Sequence, residues 1–83
     1  MNKFIKKLCK LNGKKMKIVT IHKLFGRDEY QCELNLINDE KRIGFRLLNS
    51  EIYLLKDEII FFNEIGGVFC LKDDLMEIIM VHI

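Results

Sequence analysis

Apolar and polar positions follow two different periods along this chain, and the change comes near residue 14. Phe4, Ile5, Leu8, Cys9 and Leu11 recur at helical spacing, while Lys3, Lys6, Lys7, Lys10 and Lys14 fill the opposite side. That spacing predicts an amphipathic helix of about three turns over residues 1–13. Gly13 is placed to end it, because a residue without Cβ accepts the left-handed conformation common just past a helix end. So short a helix is unstable alone, and its apolar stripe must pack on the rest of the chain.

From Lys15 onward the period is two. Ile18, Thr20, His22 and Leu24 share one face of a predicted strand and Val19, Ile21, Lys23 and Phe25 the other. A turn is predicted over Phe25 to Glu29, where Gly26 and Asp28 cluster. Tyr30, Cys32, Leu34 and Leu36 then alternate with Gln31, Glu33 and Asn35, so the two runs read as an antiparallel hairpin with one solvated face. After a polar turn at 38–41, Ile43, Phe45 and Leu47 form the next strand. Gly44 inside it predicts a bulge, a bend or the close approach of another backbone. Further strands are expected at 52–55, at 59–62 before Gly66 and Gly67, at 68–71, and at 75–83. The last two form a terminal hairpin about a turn at Lys72 to Asp74. Ile59 to Phe62 and Ile78 to Val81 are apolar on both faces, so these strands are either central or covered by another copy.

The element order, a helix and then five to seven short strands with tight turns, predicts a mainly β fold. The expected architecture is one domain over 1–83, with a helix over 1–13 and strands over 15–83: a small, strongly bent antiparallel barrel or curled sheet. Composition agrees, since 49% of the 83 residues are hydrophobic and none is proline. Lys6, Lys7 and Lys10 interrupt any signal-peptide core, and the longest apolar run is far shorter than a membrane span. Cys9, Cys32 and Cys70 stand singly and in odd number, which argues against a disulfide framework and for a reducing, cytoplasmic setting.

Charge changes the picture more than composition does. The net charge is +2, yet Met1 to Lys23 holds eight lysines and no acid, whereas Leu24 to Ile83 holds the other six basic residues and all twelve acids, a balance of −6. A basic start on an acidic body can recruit a polyanion, or be neutralised where one copy meets the next. The competing readings of the lysine stripe are a solvated face that keeps the helix soluble and an interfacial helix at a membrane surface.

Catalytic chemistry is poorly represented. His22 and His82 fall in predicted strands without a motif around either, and Asp73 and Asp74 sit in a turn, where turn chemistry is the natural role. The cysteines and histidines have no close pair of the kind zinc sites use, and Gly66 and Gly67 lack a phosphate-loop spacing. No enzyme activity, cofactor or metal is expected.

Three stretches resemble the Sm-like (LSm) family: Leu11-Asn12-Gly13-Lys14-Lys15-Met16 leading into the first strand, Gly26-Arg27-Asp28-Glu29-Tyr30 opening the second, and Gly67 to Ile79 near the C-terminus. The resemblance implies a short helix followed by five bent strands in a small barrel, assembled as a ring that binds RNA. Asn38-Asp39-Glu40-Lys41-Arg42 stands where the family's RNA-contacting turn has an acid, a hydrophobe, Met and Asn. Lys72-Asp73 replaces its Arg-Gly, and 49–66 is an insertion.

The resulting expectation is a noncatalytic, self-associating small β-barrel that binds RNA or another phosphate-bearing ligand through Lys14, Lys15, Lys41, Arg42 and Lys72. Val68, Phe69, Leu71, Ile78 and Met80 are expected to form a homo-oligomer interface. The alternative is a protein-interaction module, an inhibitor or adaptor, working through its acidic body or its apolar C-terminal strands.

Overall fold

A computed structural model describes all residues from Met1 to Ile83. One helix, α1 (Asn2–Cys9), precedes eight strands: β1 (Lys15–His22), β2 (Gly26–Glu33), β3 (Leu36–Asn38), β4 (Arg42–Arg46), β5 (Glu51–Leu55), β6 (Phe61–Ile65), β7 (Val68–Lys72) and β8 (Met76–His82). All pairings are antiparallel. They form a five-stranded sheet in the order β2-β1-β8-β7-β6 and a three-stranded sheet in the order β3-β4-β5. The mainly β class stands, but the two sheets do not close into a barrel.

The β1–β2 hairpin runs from Lys15↔Glu33 to His22↔Gly26, so its loop is Lys23 to Phe25, earlier than the predicted turn. Two local features place it there. The Nδ1 atom of His22 accepts the backbone N–H of Leu24 at 3.0 Å, and Gly26 restarts the strand at φ +84°. The second strand also ends sooner than its alternation suggests. Leu34 is buried at the point where the chain leaves the large sheet: its carbonyl accepts the Gly13 N–H and its N–H donates to the Lys14 carbonyl. The Asn35 carbonyl then accepts the Arg46 N–H, and the chain enters the small sheet as β3.

Gly44 shows no bulge, since pairing with β5 continues from Arg42↔Leu55 to Arg46↔Glu51. What approaches it is a side chain, the Tyr53 ring. A Cβ at residue 44 would lie 2.5 Å from that ring, so the ring occupies the space a side chain would take.

One core joins the sheets. Met16, Ile18, Leu71, Ile78 and Met80 of the large sheet belong to the same buried cluster as Ile43, Phe45 and Leu54 of the small one, with Phe4, Ile5 and Leu8 of α1. Strand alternation decides what lies on the other side of the large sheet. In β7, Phe69 and Leu71 point into the core and Val68, Cys70 and Lys72 away. In β8, Ile78 and Met80 point inward while Ile79 and Val81 point outward. No helix is long and apolar enough to cross a membrane.

Candidate polyanion-binding surface

The helix is held by aromatic packing. Phe4 meets Phe62 and Phe69 edge to face, with ring centroids 5.4 and 5.7 Å away, and Ile5 and Leu8 are buried with it. These three fix the roll of α1, so Lys3, Lys6, Lys7 and Lys10 are turned to solvent. Lys6 and Lys7 fall in the last turn, where the partial negative charge of the helix C-terminus favours cations. Cys9, expected on the apolar stripe, is exposed.

The connector from α1 to β1 is ordered by its own hydrogen bonds. Leu11, Asn12 and Lys14 donate backbone N–H groups to Leu8, Cys9 and Leu11, and the Asn12 Oδ1 atom accepts the Leu36 N–H at 2.8 Å. Gly13 adopts φ +85°, which lets the chain reverse into β1 and presents Lys14 and Lys15 directly after the helix.

Of the eight lysines in the first 23 residues, two form ion pairs: Lys7 with Glu64 at 2.9 Å and Lys17 with Glu29 at 3.5 Å. Glu64 also accepts the Gly67 N–H at 3.1 Å, and these two donors, Lys7 foremost, hold its carboxyl below the ordinary glutamate value. Lys3, Lys6, Lys10, Lys14 and Lys15 have no carboxylate within 4.0 Å. Beside them a shallow groove between the end of α1 and the large sheet is lined by Lys7, Lys10, Leu11, Glu64, Phe69 and His82.

The five basic residues expected to bind phosphate are therefore not gathered in one place. Lys14 and Lys15 adjoin the helix. Lys41 and Arg42 lie where β3 turns into β4 in the small sheet, and Lys72 ends β7, at the end of the large sheet opposite Lys15. Arg42 is already engaged, with its Nε donating to Asp39 Oδ2 at 2.7 Å and its guanidinium stacked 4.4 Å from the Tyr53 ring centroid. The Asp39 carboxylate raises its pKa further. Lys3, Lys6 and Lys10 share the exposed side of α1 and Lys14 follows it, whereas Lys15 opens β1 on the same face as Lys17; the signal for the helix lysines was the helical period itself.

The expected oligomer interface is corrected in the same way. Phe69, Leu71, Ile78 and Met80 are core residues of a single copy, at most 5% exposed, and only Val68 faces outward. Apolar residues on both faces of β7 and β8 left the inward parity undetermined from the sequence.

The remaining titratable groups are placed by local structure. Asp73 Oδ1 accepts the N–H groups of Leu75 and Met76, both at 2.8 Å, and so builds the β7–β8 turn as expected. Burial, and then a hydrogen bond to Glu77, pushes the Cys70 thiol up to about 11. No three His, Cys, Asp or Glu side chains converge as a metal site would require. Comparison with protein-family models, curated proteins and solved structures finds no match to this chain.

Proposed function

We propose that this chain is a noncatalytic binding module for a phosphate-bearing polyanion, single-stranded RNA in the first instance. Lys3, Lys6 and Lys10 on the exposed side of α1, with Lys14 in the connector behind it and Lys15 opening β1, make the contacts. The observation that carries this reading is that none of these five lysines has a carboxylate within 4.0 Å, although the chain holds twelve acids. Ammonium groups left unneutralised along one element release the counterions of a polyanion on contact, which gives affinity without base recognition. Lysine, a flexible point charge, suits that task better than selective readout.

Fluorescence anisotropy with a labelled single-stranded RNA tests it. Log Kd should vary linearly with log salt concentration, with a slope of about 0.7 per phosphate neutralised. Replacing Lys3, Lys6, Lys10, Lys14 and Lys15 together by Gln should abolish most of the binding, whereas Lys41→Gln and Lys72→Gln should leave it nearly unchanged. Absence of salt-sensitive binding, or an undiminished slope in the five-site variant, would overturn the reading.

A further inference from the structure

We infer that the outer face of the five-stranded sheet docks a second copy of this chain in a two-fold, face-to-face pair, through a surface separate from the lysines of α1.

The solvated face of an antiparallel sheet is normally polar. Here the cross-strand register aligns Val19 with Ile79 and Val68 with Val81 on the side away from the core, and places Ile65 beside Val68. Val19 is itself buried within this face, at 8% exposed, and Ile79 is half-buried, while the residues around them are more open. Ile21 is 37% exposed, Phe61 47%, Ile65 70%, Val68 40% and Val81 37%. Together these amount to roughly 450 Å² of apolar surface, interrupted at Phe61 by Asn63 and Lys72 on the same face, and well inside the range of the largest monomer patches, which are often functional. A pair built on this face would remove about 900 Å² of apolar area from water, and the polar rim would bring it to the ~1,200 Å² at which specific interfaces begin.

Charge selects the occupant. The rim carries Lys15, Lys17, Arg27 and Lys72 against Glu29, Glu33 and Glu77, and Glu29 already pairs with Lys17 and Arg27 within the copy. A face with both signs in near balance can meet itself without repulsion, as an isologous contact requires, and offers little to a strongly charged partner. The helix lysines are also out of the way. α1 packs on Phe69, whose side chain points to the opposite side of the sheet from Val68 and Cys70, so the helix lysines of the two copies point away from each other.

Sedimentation equilibrium of the full chain between about 1 and 100 µM tests this inference, that range spanning the affinities of ordinary specific pairs. The wild type should approach twice 9.9 kDa. The double variant Val68→Lys, Val81→Lys should stay at 9.9 kDa over the same range. Ile65→Lys, at the most exposed of these positions, should weaken association at least tenfold while keeping the wild-type circular dichroism, which separates loss of docking from loss of fold. A variant in which only the helix residues Lys3, Lys6 and Lys10 are replaced by Gln should dimerise as the wild type does while binding RNA more weakly, so failure of RNA binding and failure of docking are distinguishable. A wild type monomeric throughout, as it would be if a different protein sat on this face, overturns the inference. So does a dimer that persists in the Val68→Lys, Val81→Lys variant, or an assembly of more than two copies.

Discussion

Gly44 lies in an extended strand where its lack of a side chain makes room for the Tyr53 ring, and that ring in turn carries the Arg42 guanidinium. The Tyr53 hydroxyl donates to Glu51 at 2.6 Å, which raises the phenol's pKa and leaves the ring little freedom to move aside. Gly44→Ala should therefore destabilise the fold by about 1–2 kcal/mol, the usual cost of forcing a packed group to shift. In a Tyr53→Ala background the same change should cost nothing or stabilise, because alanine restricts the unfolded chain more than glycine does. Urea titration of the four proteins of this cycle reads the coupling. The sequence marked Gly44 as special but could not say why, since its partner lies nine residues away on another strand. Asp73 is a simpler case, legible in advance because its contacts are two and three residues distant. Asp73→Ala should cost about 1–2 kcal/mol by leaving two N–H groups without their acceptor, and Asp73→Asn less.

At the scale of elements, α1 depends on the large sheet for its stability, and the contact is concentrated in Phe4. Phe4→Ala should lower stability by about 3 kcal/mol, through lost burial and the cavity left against Phe62 and Phe69. Lys7 and Glu64 tie the same helix to β6 in a pH-dependent way. Because the folded state holds Glu64 below its ordinary value of 4.5, the pair contributes fully above that value and is lost as the pH falls through the depressed one. Glu64→Gln should therefore flatten the decline of melting temperature between about pH 5 and pH 3. The helix and its glycine stop were readable from spacing alone, although regular α1 ends at Cys9 and hydrogen-bonded turns complete it to Lys14. Glu64 was not, because nothing local relates residue 7 to residue 64. The three cysteines separate by environment in the same manner: Cys9 on the exposed side of α1 should react with a thiol reagent at pH 8 well before Cys70, whose thiol is held protonated by burial and by Glu77.

For the molecule as a whole, charge and apolar surface are partitioned. Sheet pairing sends the side chains of one parity into a core shared by both sheets and α1, and leaves the other parity as an apolar outer face. The lysines of α1 stand on the core side of that same sheet. If both proposals hold, the paired protein presents two sets of helix lysines facing apart, so a sufficiently long RNA should bind with higher apparent affinity than a short one, by the effective concentration of the second site. Titrating RNAs of increasing length against the wild type and the Val68→Lys, Val81→Lys variant would show that gain in the first protein alone.

What the sequence determined by itself was whatever depends on neighbours within a few residues: the helical stripe of α1, the stops at Gly13 and Gly66-Gly67, the β1–β2 and β7–β8 hairpins, and the basic start on an acidic body. Period, turn chemistry and charge count are local properties, and local interactions read them directly. Only the tertiary structure decided that Tyr30 to Leu36 divides at Leu34 between two sheets, which side of β7 and β8 is the core, and which lysines keep their charge unpaired. Each of these rests on contacts between residues far apart in the chain. An apolar strand central to a sheet satisfies the same pattern whichever way it faces, until its neighbours on both sides are in place.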